Sequence, residues 1–250
     1  VRKKGNFPEE QAMQSLTVAV WNAEWAEPNT IRGRAVQAVM FGQEADIFCL
    51  TETYEDLMPD DGYAIFSERN YGYRVIRGRR KVALWSRKPW ECVDSIGMPE
   101  LPPGRFVSGI SETPVGRIRV IGVCMPSRDA HVRTGRKDRK SWQEHREFLH
   151  GLAAYLAQTP RDMLTLLVGD FNQRAPRIRT PLDVCRQLKR TLSGFVVPTA
   201  GEADAYGRQV IDHMAFRGDL VVDKVSGWSG CPLHGPRLSN HDGVRVTMVP

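Results

Sequence analysis

Apolar and polar positions along this chain fall into short blocks, and the densest block organises the rest. Met163 to Val168 is almost wholly apolar and stops at Gly169, after which come Asp170 and Asn172. A short, dense apolar run predicts a strand buried on both faces. Gly169 lets the backbone turn sharply or approach another segment closely. Residues two apart on an extended segment face the same way, so Asp170 and Asn172 leave the strand end together.

Other blocks follow the same plan. Ser15–Trp21 is rich in β-formers and predicts a first strand, ending in Asn22-Ala23-Glu24-Trp25. Thr30 is placed to cap a helix running to about Gly42, with Ile31, Ala35, Val36, Val39 and Met40 on one face. Asp46–Leu50 predicts a second buried strand, ending in Thr51-Glu52-Thr53. A strand–helix–strand unit of this kind makes its two strands parallel neighbours. Tyr63–Phe66, Lys81–Trp85, Glu91–Ile96, Arg105–Ser111 and Arg117–Met125 read as short strands at hairpin spacing. Helical periodicity returns over Lys140–Gln158 and Thr180–Leu192. Phe195–Val197, Val210–Phe216, Leu220–Trp228 and Val244–Val249 complete the predicted strands. Hairpin blocks mixed with strand–helix–strand units predict an α/β fold of two mixed sheets packed face to face with helices outside.

Composition narrows this picture. With 250 residues, 41% hydrophobic and 26% charged, the chain suits one large soluble domain, expected over residues 15–250 behind a polar arm at 1–14. No apolar run reaches membrane-spanning length, and the first residues lack the apolar core of a signal peptide. The chain begins with Val1, which leaves open a leader removed upstream. Five scattered cysteines without a C-x-x-C pair argue against a disulfide framework or a zinc cluster and for a reducing compartment, the cytoplasm or one like it. A net charge of +6 favours a polyanionic partner. Much of that charge sits in three segments, Arg74–Lys81, Arg128–Lys140 and Arg174–Arg190.

Five sites now carry polar groups at or near strands: Asn22, Glu52, Asp170 with Asn172, Asp212, and Asn240-His241-Asp242. Each has an ordinary explanation alone, as a turn residue, a helix-end carboxylate or a solvent-facing strand position. Together they are harder to dismiss, because polar groups at apolar strands are costly unless paired or bound to a cation.

Val-Trp-Asn at 20–22, Cys-Leu-Thr-Glu-Thr at 49–53, Gly-Asp-Phe-Asn at 169–172, Ile-Asp-His at 211–213 and Leu-Ser-Asn-His at 238–241 resemble, in order, the endonuclease/exonuclease/phosphatase superfamily. That group includes deoxyribonuclease I, AP endonucleases, sphingomyelinases and inositol polyphosphate phosphatases. Lys-Val-Ala-Leu-Trp-Ser-Arg at 81–87 is similar to its inner hairpin strand. The resemblance implies a four-layer α/β sandwich that hydrolyses phosphoesters with Mg²⁺ or Mn²⁺. It implies Glu52 and Asn22 as metal ligands, Asp170 as proton acceptor or water-orienting group, and Asn172 as an amide donor to phosphate. It implies His241 as the group that binds the phosphoryl oxygen, held in one tautomer by Asp212. The general base, Asp170 or His241, stays open, and His213, on the opposite strand face from Asp212, reads as structural.

Three positions depart from the commoner pattern. Asn240 stands where many members have Asp, a weaker ligand for a second metal. Glu24 stands where several nucleases have Asp. Cys124 stands where many members put a His or Tyr on the phosphate, and a thiol is a poorer donor; Arg128 or His131 in the next loop could supply that contact. Arg174 is a further candidate substrate contact. The expected activity is a monomeric nuclease or phosphodiesterase acting on nucleic acid. The alternatives are a hydrolase of small phosphoesters, inositol phosphates or phospholipid headgroups, and a binding module that keeps the fold without turnover.

Overall fold

β1 (Leu16–Asn22) is buried along its whole length, and its side chains divide between two cores. Leu16, Val18 and Val20 enter one, Ala19 and Trp21 the other. This is the period-2 alternation of a strand with both faces covered, which is why its sequence is apolar throughout. The computed structural model of the chain describes residues 14–201 and 206–250, so the expected arm over 1–14 lies, apart from Gln14, outside the described residues.

The elements in order are β1, α1 (Ile31–Phe41), β2 (Ile47–Tyr54), β3 (Tyr63–Phe66), β4 (Arg79–Ser86), β5 (Trp90–Asp94), β6 (Phe106–Thr113) and β7 (Gly116–Cys124). Then come α2 (Gln143–Gln158), β8 (Thr165–Asp170), α3 (Leu182–Thr191), β9 (Asp212–Arg217), β10 (Val221–Trp228) and β11 (Gly243–Val249). They form a six-stranded sheet, β10-β11-β1-β2-β4-β3, and a five-stranded sheet, β5-β6-β7-β8-β9. Both are mixed: β1 and β2 run parallel, as do β7 and β8, and the other pairs are antiparallel. Val18, Val20, Val82, Val120, Val168 and Val246 are among the residues that fill the space between the sheets. A second core lies between the six-stranded sheet and α1, and a third between the five-stranded sheet and α2 and α3. The result is the expected α/β sandwich of four layers. No helix among the described residues is long and apolar enough to cross a membrane.

Local departures from the expected elements have physical causes. Thr30 caps α1 by accepting from the Gly33 amide at 3.0 Å, but Ile31 is 75% exposed. It sits in the first turn, and the helix buries Gly33, Val36 and Met40 instead. Trp142 caps α2 rather than joining its apolar face, and takes a left-handed backbone. Phe195–Val197 forms no strand; only an isolated bridge joins Val196 to Phe216. β2 continues past Leu50 to Tyr54, so Glu52 lies within a strand, with its φ at +47°.

Candidate active site

The two sheets meet in a polar rim where β1, β7 and β8 end and β9 begins. Asn22, the last residue of β1, donates from Nδ2 to Asp170 Oδ2 at 3.2 Å, linking one sheet to the other. Asp170 ends β8 and pairs in register with Asp212 at the start of β9 and with Cys124 at the end of β7. Antiparallel pairing thus brings two buried carboxylates side by side, which no local sequence pattern could reveal. Gly169 makes the approach possible: its φ is +143°, and a Cβ there would lie 1.9 Å from the Val123 carbonyl oxygen.

His241 completes the cluster. Its Nδ1 lies 2.5 Å from Asp212 Oδ2, and among the described residues its Nε2 makes no hydrogen bond. The loop carrying His241 is anchored by Ser239, whose hydroxyl donates to the Asn22 carbonyl at 2.6 Å and accepts from the His241 amide at 3.1 Å. Trp21 Nε1 donates to the His241 carbonyl at 2.9 Å. Ligand-type atoms of Asp170, Asp212 and His241 all lie within 4.8 Å of one another.

Electrostatics follow from this crowding. Burial pushes the Asp170 carboxyl up to about 7; Asp212 and Glu52 push the same way, and His241 and the Asn172 amide oppose them. Burial alone would lower the His241 imidazole, but the carboxylates of Asp212, Asp170 and Glu52 win and hold it up at about 10. Asp212 keeps its second oxygen, Oδ1, buried without a hydrogen-bond partner among the described residues. Burial also drives the Cys124 thiol up to about 12, so it keeps its proton.

Glu52 is directed at the same rim but is paired. Lys81 Nζ, on β4, lies 2.5 Å from Glu52 Oε1, and it also sits 5.1 Å from the Trp25 ring centre and 5.4 Å from that of Tyr71. Asn172 donates both to Asp170 Oδ2 at 3.0 Å and to the Met125 carbonyl at 2.9 Å through its one amide nitrogen. Both its N–H bonds are therefore directed within the protein, not at the phosphate oxygen expected for them. Glu24, Trp25, Glu52 and Asn172 all take left-handed backbones around this rim. Each such residue costs about 1–3 kcal/mol and persists where its surroundings over-determine it.

Other expected residues fall outside the cluster. Asn240 is exposed and touches Glu24 through its backbone amide at 3.1 Å. Asp242 accepts from the Gly230 amide at 2.9 Å and pairs with Arg208 at 2.6 Å, facing away as an alternating residue should. Arg128 and Arg174 are exposed on the wall of an adjoining cleft. His131 is fully buried, stacked 4.3 Å from the Tyr73 ring and 3.6 Å from Glu144, so this loop histidine packs inside the fold. His213 is buried between the Thr199 hydroxyl at 2.9 Å and the Gln173 carbonyl at 3.0 Å.

Sequence reasoning passed over Lys81 and Arg105 as site residues. Lys81 is revealed only by strand register, which sets it opposite Glu52 between the pairs Thr51–Val82 and Thr53–Arg80. Arg105, 3% exposed, donates to the Cys124 carbonyl at 3.4 Å and leaves Nε without a partner among the described residues. The sequence signal for Arg105 was a charged residue opening an apolar strand.

The same architecture recurs in solved structures. An endonuclease/exonuclease/phosphatase from Beutenbergia cavernae superposes with TM-score 0.68 at 16% identity, covering 94% of this chain and 72% of that one. An AP endonuclease from Archaeoglobus fulgidus gives 0.65 at 18% identity, covering 92% and 98%. Sphingomyelinase C from Streptomyces griseocarneus gives 0.63 at 15% identity, covering 93% and 99%. At these identities the likeness shows the fold alone. Compared with curated proteins, the chain has no significant match. A family model does match its sequence, from residue 19 in β1 to residue 241, the histidine of the rim. That span takes in every strand end gathered here, and it places the chain in the Endonuclease/Exonuclease/phosphatase family.

Proposed function

We propose that this protein is a divalent-metal-dependent phosphodiesterase that cleaves nucleic acid by attack of water on phosphorus. The observation that carries the reading is the meeting of Asp170, Asp212 and His241 within 4.8 Å at the sheet rim. The family and its fold are those of phosphoesterases; the substrate and the metal requirement are our reading.

The residues present suit a hard divalent cation. Glu52, Asn22 and Asp170 carry carboxylate and amide oxygens, the donors that Mg²⁺ and Mn²⁺ prefer, with Asn22 Oδ1 oriented by the Glu24 amide at 2.9 Å and Glu52 Oε1 by Lys81. The unpartnered Asp212 oxygen and the raised Asp170 carboxyl mark a site short of positive charge. We assign Glu52 and Asn22 to hold the ion, with Asn240 as a weaker candidate for a second. Bound there, such an ion would neutralise phosphate charge that otherwise repels the nucleophile.

The chain's own groups divide the remaining work. Asp170 accepts the proton of the attacking water, since a carboxyl near 7 exchanges protons readily at neutral pH. Asn22 and Asn172 fix its orientation by their amide donors. His241, charged at neutral pH because its imidazole is held at about 10, suits a donor better than a base. Its Nδ1–H is held by Asp212, which leaves Nε2–H to meet negative charge building on the phosphoryl oxygens. Arg128 and Arg174 lie on the cleft wall where flanking phosphates would pass.

The test is cleavage of a labelled oligonucleotide with Mg²⁺, by the wild type and by Glu52→Ala and His241→Ala. Metal-dependent cleavage lost in both variants is expected. Failure to cleave any single- or double-stranded nucleic acid, with turnover of inositol phosphates or phospholipid headgroups instead, would transfer the activity to small phosphoesters.

A further inference from the structure

Two clefts flank the strand-end cluster, and their charges differ. The larger, about 920 Å³, is walled by Arg128, Trp142, Arg174, Ile178, Arg179 and Asn172, and none of the described residues lining it is a carboxylate. The smaller, about 590 Å³, shares Arg174 and Ile178 and reaches Asn240. In the smaller cleft Arg208 is paired with Asp242 and Arg237 with Glu24. In the larger, Arg174 and Arg179 make no ion pair or hydrogen bond among the described residues. Uncompensated positive charge therefore lies on the Asn172 side of the rim. Resting on the phosphodiesterase reading above, we propose that the larger cleft binds the nucleotide next to the scissile phosphate in unpaired form, so that the substrate is single-stranded nucleic acid.

The walls match the two chemistries of such a nucleotide. Arg174 and Arg179 offer planar, always-charged forks to phosphate. Trp142, Ile178 and Ile211 offer apolar surface to a base that has left its stack. Trp142 is half-buried and held in place, its amide donating to the Arg128 carbonyl at 2.7 Å and its ring meeting His145 edge-on at 5.2 Å. A fixed aromatic face loses little freedom when a base stacks on it. The cleft also has the volume of a small-molecule site. A duplex, with its bases stacked inside, would present only backbone and leave that apolar wall wet.

The experiment is fluorescence anisotropy of a labelled short single-stranded oligodeoxynucleotide in EDTA, so that binding is read without cleavage. R174A/R179A is compared with the wild type and with Arg161→Ala, an exposed arginine before the opposite end of β8. We expect the double variant to weaken binding about tenfold or more and to lower the salt slope by about 1.4, at about 0.7 per phosphate contact on a single strand. Trp142→Ala is expected to weaken single-strand binding about fivefold and leave duplex binding unchanged. Equal weakening by Arg161→Ala, indifference to Trp142→Ala, or tighter binding of duplex than of single strand would overturn the assignment. Binding that behaves as expected without any cleavage in Mg²⁺ would keep the subsite and end the phosphodiesterase reading. Hydrolysis of a small diester, with oligonucleotide affinity untouched by the cleft substitutions, would do the reverse.

Discussion

Lys81 on β4 holds Glu52 on β2 through an ion pair of 2.5 Å, in a pocket roofed by Trp25 and Tyr71. An ammonium there occupies one oxygen of the carboxylate assigned to the metal. It also repels any second cation that approaches. At an effective dielectric near 20, a monovalent and a divalent charge about 4 Å apart repel by about 8 kcal/mol before the solvent at the rim screens them, and a surviving 1.4 kcal/mol is already about a factor of ten in affinity. Lys81→Met is therefore expected to tighten Mn²⁺ binding at least about tenfold, measured by calorimetry. Unchanged affinity would mean that Lys81 and the ion do not share Glu52.

The Asp212–His241 pair makes a second prediction. Asp212→Asn keeps the size of the side chain but removes the charge that holds His241 up at about 10. Turnover is expected to fall by about 10²–10⁴-fold, the usual contribution of a positioned acid–base group. The pH above which activity declines should also move down, because a less basic imidazole loses its proton earlier. A pH–rate profile checks both.

Stability should depend on pH through His145 and His213. Burial pulls both rings down to about 4, against an ordinary histidine value of about 6.5. Between these values the unfolded chain binds protons that the folded chain refuses. The contribution of these two rings is then full above about pH 6.5 and falls as the pH drops towards 4, by up to about 1.4 kcal/mol per pH unit for each ring, while Asp170, held up at about 7, offsets part of the fall over the same window. Thermal denaturation across that window is expected to show a falling Tm, and His145→Gln should make the fall shallower.

Gly169→Ala tests how closely β8 must approach β7. The added Cβ would lie 1.9 Å from the Val123 carbonyl oxygen, at a φ of +143° that other residues avoid. A loss of about 2–4 kcal/mol in urea denaturation is expected, the size typical of backbone strain and overpacking combined. Turnover should fall as well, because Asp170 is the next residue.

Much of this architecture is legible in the sequence. β1 and β8 are short apolar runs because both faces are covered, and their polar last residues stand out for the same reason. The ordered set from Asn22 to His241 carries the family resemblance, and the family match spans 19–241. What the sequence hides depends on strand register and loop packing. Lys81 looks like one more residue of a basic turn until pairing sets it against Glu52. His131 looks solvated because its loop is polar, yet Tyr73 and Glu144 enclose it. Ile31 satisfies the helical period but points outward from the first turn and stays exposed.

In the proposed reading Glu52, Asp170, Asp212 and His241 serve one cation and one phosphate. Steady-state hydrolysis of bis(p-nitrophenyl) phosphate against Mg²⁺ concentration tests it most directly, in the wild type, Glu52→Gln and His241→Asn. Saturable metal-dependent turnover is expected in the wild type, vanishing in EDTA and falling at least about 10²-fold in each variant. Turnover that survives EDTA, or that either substitution leaves intact, would contradict it.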